Sequence, residues 1–223
     1  THCESSAASD VYKRQIGFPF ISLLVSGGHS LIIDVKGLGD YTILGESQDD
    51  AVGEAFDKVG KLLNLPYPGG PHIERIAKDG DPKKFNYPRP MMHSDNLNLS
   101  FSGLKTAVLY SIRDIENLDE HIPDIAASFQ RAAIDVLVSK IKKSLTQTNR
   151  DTLILAGGVA ANGLLRDEMS KLEDELNIKV RYPAMKHCTD NAAMIAYLGS
   201  LKTPDMVTQG NSNARPRWPL NEV

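Results

Sequence analysis

The sequence predicts an α/β protein, and one short stretch carries most of that prediction. Residues 153–156 form an apolar run typical of a buried strand, and this run leads directly into Gly157 and Gly158. Apolar residues then recur at helical spacing, at Leu165, Met169, Leu172 and Leu176. A strand, a glycine turn and an amphipathic helix in that order are typical of an α/β domain.

The same two glycines indicate a possible anion site. Glycine lets the backbone approach a ligand closely, and the helix start behind it presents free N–H groups and a positive dipole end. We therefore expect a nucleotide or another phosphate at this turn. A plain tight turn would show the same residues, and this motif alone does not separate the two interpretations.

Composition and charge define the general class of the protein. The 223 residues suffice for one large domain or two small ones, and the 41% hydrophobic and 24% charged residues are ordinary for a globular protein. The net charge of -3 argues against general coating of nucleic acid, but not against a local basic patch. Cys3 and Cys188 provide no disulfide framework and indicate a reducing compartment. The longest apolar run, residues 16–25, is too short to span a membrane, so no membrane contact is predicted.

Residues 1–15 differ in character from everything that follows them. They are polar and without periodicity, and residue 1 is not a methionine. We expect a tag, a cloning remnant or mis-joined sequence here. Residues 16–223 are then the native part, and its own N-terminal portion is expected to be missing.

A β-hairpin is predicted close to the start of the native part. Residues 20–25 and 31–35 are both rich in strand-forming side chains, and Ser26, Gly27, Gly28 and His29 separate them. Backbone N–H groups at such a tip can surround a phosphate. Taken alone, the motif is somewhat more typical of an ordinary hairpin turn, and a single histidine there more often packs than binds.

An amphipathic helix is predicted from about residue 49 to residue 65, with a buried stripe of Ala51, Ala55, Val59 and Leu62 or Leu63. Three carboxylates fall on one face of it: Asp50, Glu54 and Asp57. Two interpretations stay open. The carboxylates form a solvated acidic face relieved by Lys58 and Lys61, or they contact ribose hydroxyls or a metal-bound water.

Stiff loops and helices alternate in the middle of the chain. Residues 65–71 contain prolines and glycines that exclude regular structure, and a short helix over residues 72–78 follows, with Glu74 near its start. Ser102 is a plausible N-cap for the next helix. Lys105 on that helix would touch a phosphate or RNA, or more simply face solvent.

The last elements are a long helix, a short strand and a final helix. The long helix is predicted over residues 123–145, with Pro123 in its first turn, and the strand over residues 179–182. Thr189 or Asp190 begins the final helix, where a carboxylate serves either as a cap or as a ligand.

Taken together and in this order, these motifs closely resemble the bacterial type of the TsaD family. Its members are tRNA adenosine threonylcarbamoyltransferases, formerly described as O-sialoglycoprotein endopeptidases. The resemblance runs from about Ile16 to the end of the chain. The motifs that carry it are Leu24–His29, Gly53–Lys58, Tyr67–Pro71, Ser100–Thr106, Ala156–Asn162, Cys188–Tyr197 and Arg215–Leu220.

The resemblance implies an actin-like (ASKHA) fold of two α/β lobes around a nucleotide-shaped cleft, here without the start of the N-terminal lobe. It implies transfer of a threonylcarbamoyl group from threonylcarbamoyl-AMP to N6 of the adenosine 3′ of the anticodon in tRNAs that read ANN codons. The implied protein partners are a smaller actin-like paralogue of the TsaB type and a P-loop ATPase of the TsaE type. The implied location is the bacterial cytoplasm, or the mitochondrion in a eukaryote.

The resemblance also assigns roles to individual residues. A first group would contact the phosphate and acyl part of the substrate: Leu24, Val25, Ser26, Gly27 and Gly28. A second group would hold the adenylate: Asp57, Gly70 and Asn162, with Glu74 where the family usually has an aspartate near the ribose. Asp190 corresponds to a ligand of one divalent metal, with iron favoured over zinc. No side-chain nucleophile is expected, because neither Ser26 nor Cys188 has an obvious partner base.

One departure from the family pattern concerns the metal. The family's two other ligands are histidines spaced His-x-x-x-His, upstream of the hairpin. No pair among the chain's histidines has that spacing: His2, His29, His72, His93, His121 and His187. We therefore expect the motif in the missing N-terminal portion, and we expect this chain alone neither to bind metal tightly nor to turn over.

Rival functions are an inactive scaffold paralogue and a small-molecule kinase of actin-like fold. The Ser26–His29 and Cys188–Asn191 motifs argue against the kinase. A zinc peptidase would need a His-Glu-x-x-His helix, and the chain has no such sequence.

Overall fold

A mixed five-stranded sheet organises the part of the chain that the structure describes. A computed structural model describes residues 17–185 together with residues 188, 192, 193, 196 and 200. The strands are β1 (Phe20–Val25), β2 (Ser30–Gly37), β3 (Asp40–Glu46), β4 (Thr152–Ala156) and β5 (Lys179–Arg181). Their order is β3-β2-β1-β4-β5. The predicted hairpin is confirmed as antiparallel β1 and β2, and β1 pairs with β4 in parallel.

Helices cover the sheet and supply most of the core. They are α1 (Val52–Leu62), α2 (Gly69–Ala77), α3 (Ser102–Arg113), α4 (Leu118–Thr148) and α5 (Gly163–Leu176), with a short 3-10 helix over Gly158–Ala161. Alternate side chains of the two central strands are fully buried: Ile21, Leu23, Val25, Leu153 and Leu155. Helix α4 packs against β1 and β2 and buries Phe129, Ala133 and Leu137. No described helix is long and apolar enough to cross a membrane.

Three helices begin at other residues than the sequence predicts. Helix α2 begins at Gly69 instead of residue 72, because the Asp57 carboxylate accepts the Gly69 N–H at 2.8 Å and a proline within the first turn costs no hydrogen bond. Helix α4 begins at Leu118, so Pro123 lies inside it rather than in its first turn. Asp119 and Glu120 favour that earlier start, since carboxylates stabilise the positive end of a helix.

Asp49 explains why α1 begins at Val52 rather than near residue 49. Its carboxylate accepts hydrogen bonds from the N–H groups of Phe101 and Ser102, at 2.8 and 3.2 Å, and from the Ser100 and Ser102 hydroxyls, at 2.5 and 2.7 Å. Asp49 therefore caps α3 from 52 residues away in sequence, and Ser102 is the first residue of that helix and not its N-cap. Burial alone would raise the pKa of the Asp49 carboxyl, but these four hydrogen bonds hold the pKa below its ordinary value.

The backbone of the central glycine turn lies against the end of β1. Gly157 has φ of +91°, a conformation that residues with a Cβ rarely adopt, and a Cβ placed there would lie 2.3 Å from the Val25 carbonyl oxygen. Glycine is therefore required at this position by both torsion and space. Gly158, its neighbour, has no atom within 4 Å of a Cβ built on it.

We predict that Gly157→Ala destabilises the protein by about 2–4 kcal/mol, because it combines left-handed backbone strain with a backbone clash. Urea denaturation followed by circular dichroism measures the loss. Gly158→Ala is the matched control and is expected to change the free energy of unfolding by less than about 1 kcal/mol. Equal stability of the two variants would contradict this account of the turn.

We also predict that in Asp49→Asn the free energy of unfolding falls less as the pH is lowered. The folded pKa lies below the unfolded value, so the ionised carboxylate stabilises the fold above about pH 4 and loses that effect as the pH falls through the folded pKa. The variant should be less stable than the parent at pH 7, and the difference should shrink at pH 3. Asp174→Asn, at an exposed carboxylate on α5, is the control and should leave the profile unchanged. A constant difference at both pH values would exclude the proposed role of the charge.

Candidate functional site

Two glycine turns lie side by side at the carboxyl ends of β1 and β4. Leu24 pairs with Ala156 in the parallel register of β1 and β4, so the hairpin turn and the Gly157–Gly158 turn leave the sheet together. Ligands of open α/β sheets bind beyond the carboxyl ends of such strands. Gly53 of α1 completes the junction, because its N–H donates to the Ser26 carbonyl at 3.2 Å and a Cβ there would lie 2.5 Å from the same oxygen.

A cavity of about 230 Å³ opens where these turns meet α1 and α2. It brings together five of the residues that the resemblance assigns to substrate: Gly27, Asp57, Gly70, Glu74 and Asn162. The remaining lining residues are mostly apolar or glycine: Gly53, Phe56, Pro68, Pro71, Gly158, Val159 and Ala161. An apolar cavity with a few polar groups placed in it is typical of a small-molecule or nucleotide site.

Each polar side chain of the cavity is held by the scaffold through one of its atoms. The Asp57 Oδ1 accepts the Gly69 N–H at 2.8 Å, and the Glu74 Oε1 accepts the Gly163 N–H at 2.9 Å. The Asn162 Oδ1 accepts the Leu165 N–H at 3.0 Å and so caps α5. The second carboxylate oxygens of Asp57 and Glu74 have no hydrogen-bond partner within the described part of the chain, so they are available to a ligand.

These bonds correct the expectation of a free helix start behind the glycine turn. A 3-10 segment separates Gly157 from α5, and in the first turn of α5 the N–H groups of Gly163 and Leu165 are already bonded to Glu74 and Asn162. An anion would therefore meet the glycine turns themselves. The space beside Gly27 and Gly158 is open, since no atom lies within 4 Å of a Cβ built on either residue.

The other predicted phosphate and acyl residues lie outside the cavity lining. Val25 is buried in the sheet and Leu24 is half-buried in it. The Ser26 Oγ accepts the N–H groups of Gly28 and His29 at 3.2 and 3.0 Å, so this side chain shapes the hairpin turn. Gly28 is exposed at the tip of that turn.

The three carboxylates predicted on one face of α1 have different surroundings. Asp50 precedes the helix, and its carboxylate accepts hydrogen bonds from the ammonium groups of Lys58 and Lys105 at 2.7 and 3.0 Å. Glu54 forms a salt bridge with Lys58 at 2.9 Å. Burial alone would raise the pKa of Asp50, but the two lysines hold it below its ordinary value. Hydrogen bonds to Asp50 and Glu54 in turn raise the pKa of Lys58. Lys105 is thus an ion-pair partner of Asp50, and of the three carboxylates only Asp57 lines the cavity.

Gln130 is a site residue that no sequence motif indicated. It lies on α4, only 6% exposed, and its Oε1 accepts the Asn162 Nδ2–H at 2.9 Å. This contact fixes the orientation of the Asn162 amide and leaves its second N–H for a ligand. Phe56 was also missed as a lining residue, and its ring packs edge-on against Phe129 at 5.0 Å between centroids. The one feature of the sequence that could have indicated Gln130 is a polar side chain within the apolar stretch of a long helix.

The metal prediction rests on residues outside the described part. Asp190 lies there, as do the tail residues 215–220. Within the described ranges, no group of three or more His, Cys, Asp or Glu side chains is arranged to hold a metal ion. Cys188 is described and buried, with its Sγ 3.5 Å from the Arg166 guanidinium.

Solved structures show the fold class. The chain aligns with the crystal structure of HypF from T. kodakarensis at a TM-score of 0.63 and 15% identity, covering 83% of this chain and 34% of that one. It aligns with full-length HypF in a phosphate- and nucleotide-bound form at 0.64 and 10%, covering 86% and 34%. These likenesses confirm the predicted actin-like fold. The division of residues 16–223 between two lobes stays a prediction.

Curated relatives and a family model agree on a single family. The chain is 48% identical over 225 residues to the tRNA N6-adenosine threonylcarbamoyltransferase of Neisseria meningitidis, and 48% identical over 211 residues to that of Chromobacterium violaceum. Each alignment covers 92% of this chain but only 64% and 62% of the relative, so the chain spans less than two thirds of their length. The model for TsaD, tRNA N6-adenosine threonylcarbamoyltransferase, matches residues 1–197. The chain therefore belongs to the TsaD family.

Proposed function

We propose that the protein to which this chain belongs transfers a threonylcarbamoyl group from threonylcarbamoyl-AMP to N6 of the adenosine 3′ of the anticodon in ANN-decoding tRNAs. One observation carries the proposal. Gly27, Asp57, Gly70, Glu74 and Asn162 come from four separate segments and line one cavity. Family membership supplies the reaction class, and the nucleotide-bound HypF structure supports a nucleotide in a fold of this kind.

The cavity has a polarity that suits an adenylate. The open carboxylate oxygens of Asp57 and Glu74 accept hydrogen bonds from ribose hydroxyls, and they repel a phosphate. We place the phosphate against the backbone of Gly27 and Gly158, where the glycines leave open space and backbone N–H groups bind an anion. Phe56 and Val159 supply apolar surface for the base or the sugar.

The chemistry requires positioning more than side-chain catalysis. The adenosine N6 attacks the threonylcarbamoyl carbonyl carbon, the bond from that carbon to the AMP phosphate oxygen breaks, and N6 loses a proton. AMP is a good leaving group, so no covalent enzyme intermediate is needed. The residues of the cavity hold the adenylate in one orientation, which is the contribution that pre-organised polar groups make to such a transfer.

We further propose one divalent metal, iron or zinc, with Asp190 as a ligand together with two histidines that this chain does not contain. When bound, such an ion polarises a carbonyl oxygen as a Lewis acid. Within the described residues, no group of three or more His, Cys, Asp or Glu side chains is arranged to hold this ion.

The partners in the proposal follow from the family and from its bacterial members. They are tRNA as the acceptor, threonylcarbamoyl-AMP as the donor, a smaller actin-like paralogue of the TsaB type and a P-loop ATPase of the TsaE type. A bacterial protein of this kind acts in the cytoplasm.

The cavity proposal predicts that Gly70→Val blocks adenylate binding without unfolding the protein. The nearest atom to a Cβ at Gly70 is 3.9 Å away, so the fold tolerates the side chain, while the cavity that Gly70 lines is invaded. We expect the affinity for AMP, measured by isothermal titration calorimetry, to fall at least roughly tenfold. Gly103→Val is a matched control, because Gly103 is also the second residue of a helix and its nearest atom is 3.8 Å away. Unchanged AMP binding by Gly70→Val would place the nucleotide elsewhere.

The transferase proposal itself is tested with the full-length protein. Threonylcarbamoyl-AMP and tRNA are supplied, and modified adenosine is measured by mass spectrometry. Modification supports the proposal. AMP binding without any transfer favours the scaffold alternative, and phosphate transfer from ATP to a small hydroxyl substrate favours the kinase.

The metal proposal predicts that the 223-residue chain alone contains far less than one iron or zinc per molecule, because a single carboxylate is too few ligands for a stable site. Elemental analysis of the purified chain measures this. The full-length protein is the positive control, with about one metal ion expected. A stoichiometric metal in the short chain would overturn the assignment of the ligands.

A further inference from the structure

We propose that Tyr67 is the platform on which the acceptor adenosine stacks when its amine reaches the adenylate. The inference rests on the proposed transferase function and adds the residue that receives the RNA base. Tyr67 lies in the proline loop before α2, and its side chain is the most exposed of the large apolar residues described, at 85%.

Tyr67 lies on a groove that adjoins the nucleotide cavity. The groove is about 540 Å³ and is lined by Gly27, Glu54, Asp57, Lys58, Lys61, Leu65, Pro66 and Tyr67. Gly27 and Asp57 line both spaces. A base resting in the groove therefore lies next to the donor in the cavity, separated by no intervening element.

The loop that carries Tyr67 is hydrogen-bonded to α1 both before and after this residue in the sequence. The Leu65 N–H donates to the Gly60 carbonyl at 2.8 Å, and the Gly69 N–H donates to Asp57 at 2.8 Å. Gly60 and Gly69 pack backbone to backbone, since a Cβ on Gly60 would lie 2.8 Å from the Gly69 Cα. Pro66 and Pro68 further fix the backbone on either side. Because the backbone on both sides of Tyr67 is already fixed, binding of a partner to the ring costs little backbone entropy.

Other exposed aromatic side chains in the described part are occupied or far from the cavities. Phe18 stacks on Phe20 at 5.5 Å between ring centroids, and Tyr110 lies under the Arg113 guanidinium at 5.1 Å. Neither lines the nucleotide cavity or the groove. Tyr67 alone among these three combines exposure with contact to the site.

The groove carries a cation that suits the phosphate of a nucleotide. Lys58 pairs with Asp50 and Glu54, whereas Asp57 has no cationic partner within the described residues and keeps one carboxylate oxygen open. Lys61 has no acidic partner within the described residues, so its ammonium is available to a backbone phosphate. The groove thus offers one ring face and one cation without an acidic partner, with the Asp57 carboxylate where the groove meets the cavity.

The reaction requires such a platform. An adenosine in a structured RNA loop must leave its stack before its N6 can approach a donor inside a cavity, and an aromatic side chain at the rim replaces the stacking that is lost. Stacking on a ring tolerates any base, so Tyr67 supports binding of the acceptor while the position of the donor selects the reacting atom.

The test measures KM values of the full-length enzyme for tRNA and for threonylcarbamoyl-AMP, in Tyr67→Ala, Tyr67→Phe and Tyr110→Ala. We expect Tyr67→Ala to raise the KM for tRNA roughly tenfold with the KM for the donor unchanged, since loss of a stacked base costs about that factor. Tyr67→Phe keeps the ring and should stay within about twofold of the parent. Tyr110→Ala removes a tyrosine of 57% exposure away from the site and should have no effect.

An unchanged KM for tRNA in Tyr67→Ala, or an equal rise in the KM for the donor, overturns the inference. Loss of function in Tyr67→Phe overturns it too, because the hydroxyl would then be the essential group. If the parent enzyme transfers nothing to tRNA, the proposed function fails first, which distinguishes the two failures.

Discussion

The site depends on the packing of Gly157 against the carbonyl of Val25. This contact fixes the turn after β4 against the end of β1, and the parallel pairing of these strands brings the hairpin turn alongside. Gly53 seats α1 on the hairpin turn, and Gly60 seats α2 on α1 through Gly69, each by direct backbone contact. The cavity walls are thus positioned largely by backbone packing. This explains why the recognisable motifs are rich in glycine. A Cβ at Gly53, Gly60 or Gly157 would lie within 3 Å of backbone atoms.

The polar side chains of the cavity combine a structural role with the binding role that we propose for them. Asp57, Glu74 and Asn162 each use one oxygen to fix a helix start, which leaves the other polar atoms in defined positions before a ligand arrives. Gln130 extends this arrangement from α4 by holding the Asn162 amide. Groups held in this way pay little reorganisation cost on binding. Substitutions at these residues are therefore expected to change both folding and binding. A substitution at a glycine that is open to the cavity is expected to change binding alone.

Local patterns in the sequence predicted the elements but not the contacts between them. The hairpin and the strand with its glycine turn were correct because a few adjacent residues determine each of them. The beginning of α1 was wrong because Asp49 binds the start of α3, and the free helix start was wrong because Glu74 binds Gly163 from 89 residues away. Gln130 was missed for the same reason, since its partner is 32 residues distant. Asp190 and the metal it was predicted to bind lie outside the described residues, so that prediction remains open.

The electrostatics of the two adjoining spaces constrain how a donor and an acceptor meet. In the proposed reaction the carboxylates of Asp57 and Glu74 disfavour a phosphate beside them, and the phosphate with its acyl group is placed against Gly27 and Gly158. Gly27 also lines the groove that carries Tyr67. In this proposed arrangement the acyl group lies next to the groove. On the proposed mechanism, an acceptor bound in the groove reaches the carbonyl from that side, and the AMP phosphate stays at the glycine turn. The proposed orientation of the donor thus predicts the side from which the acceptor comes.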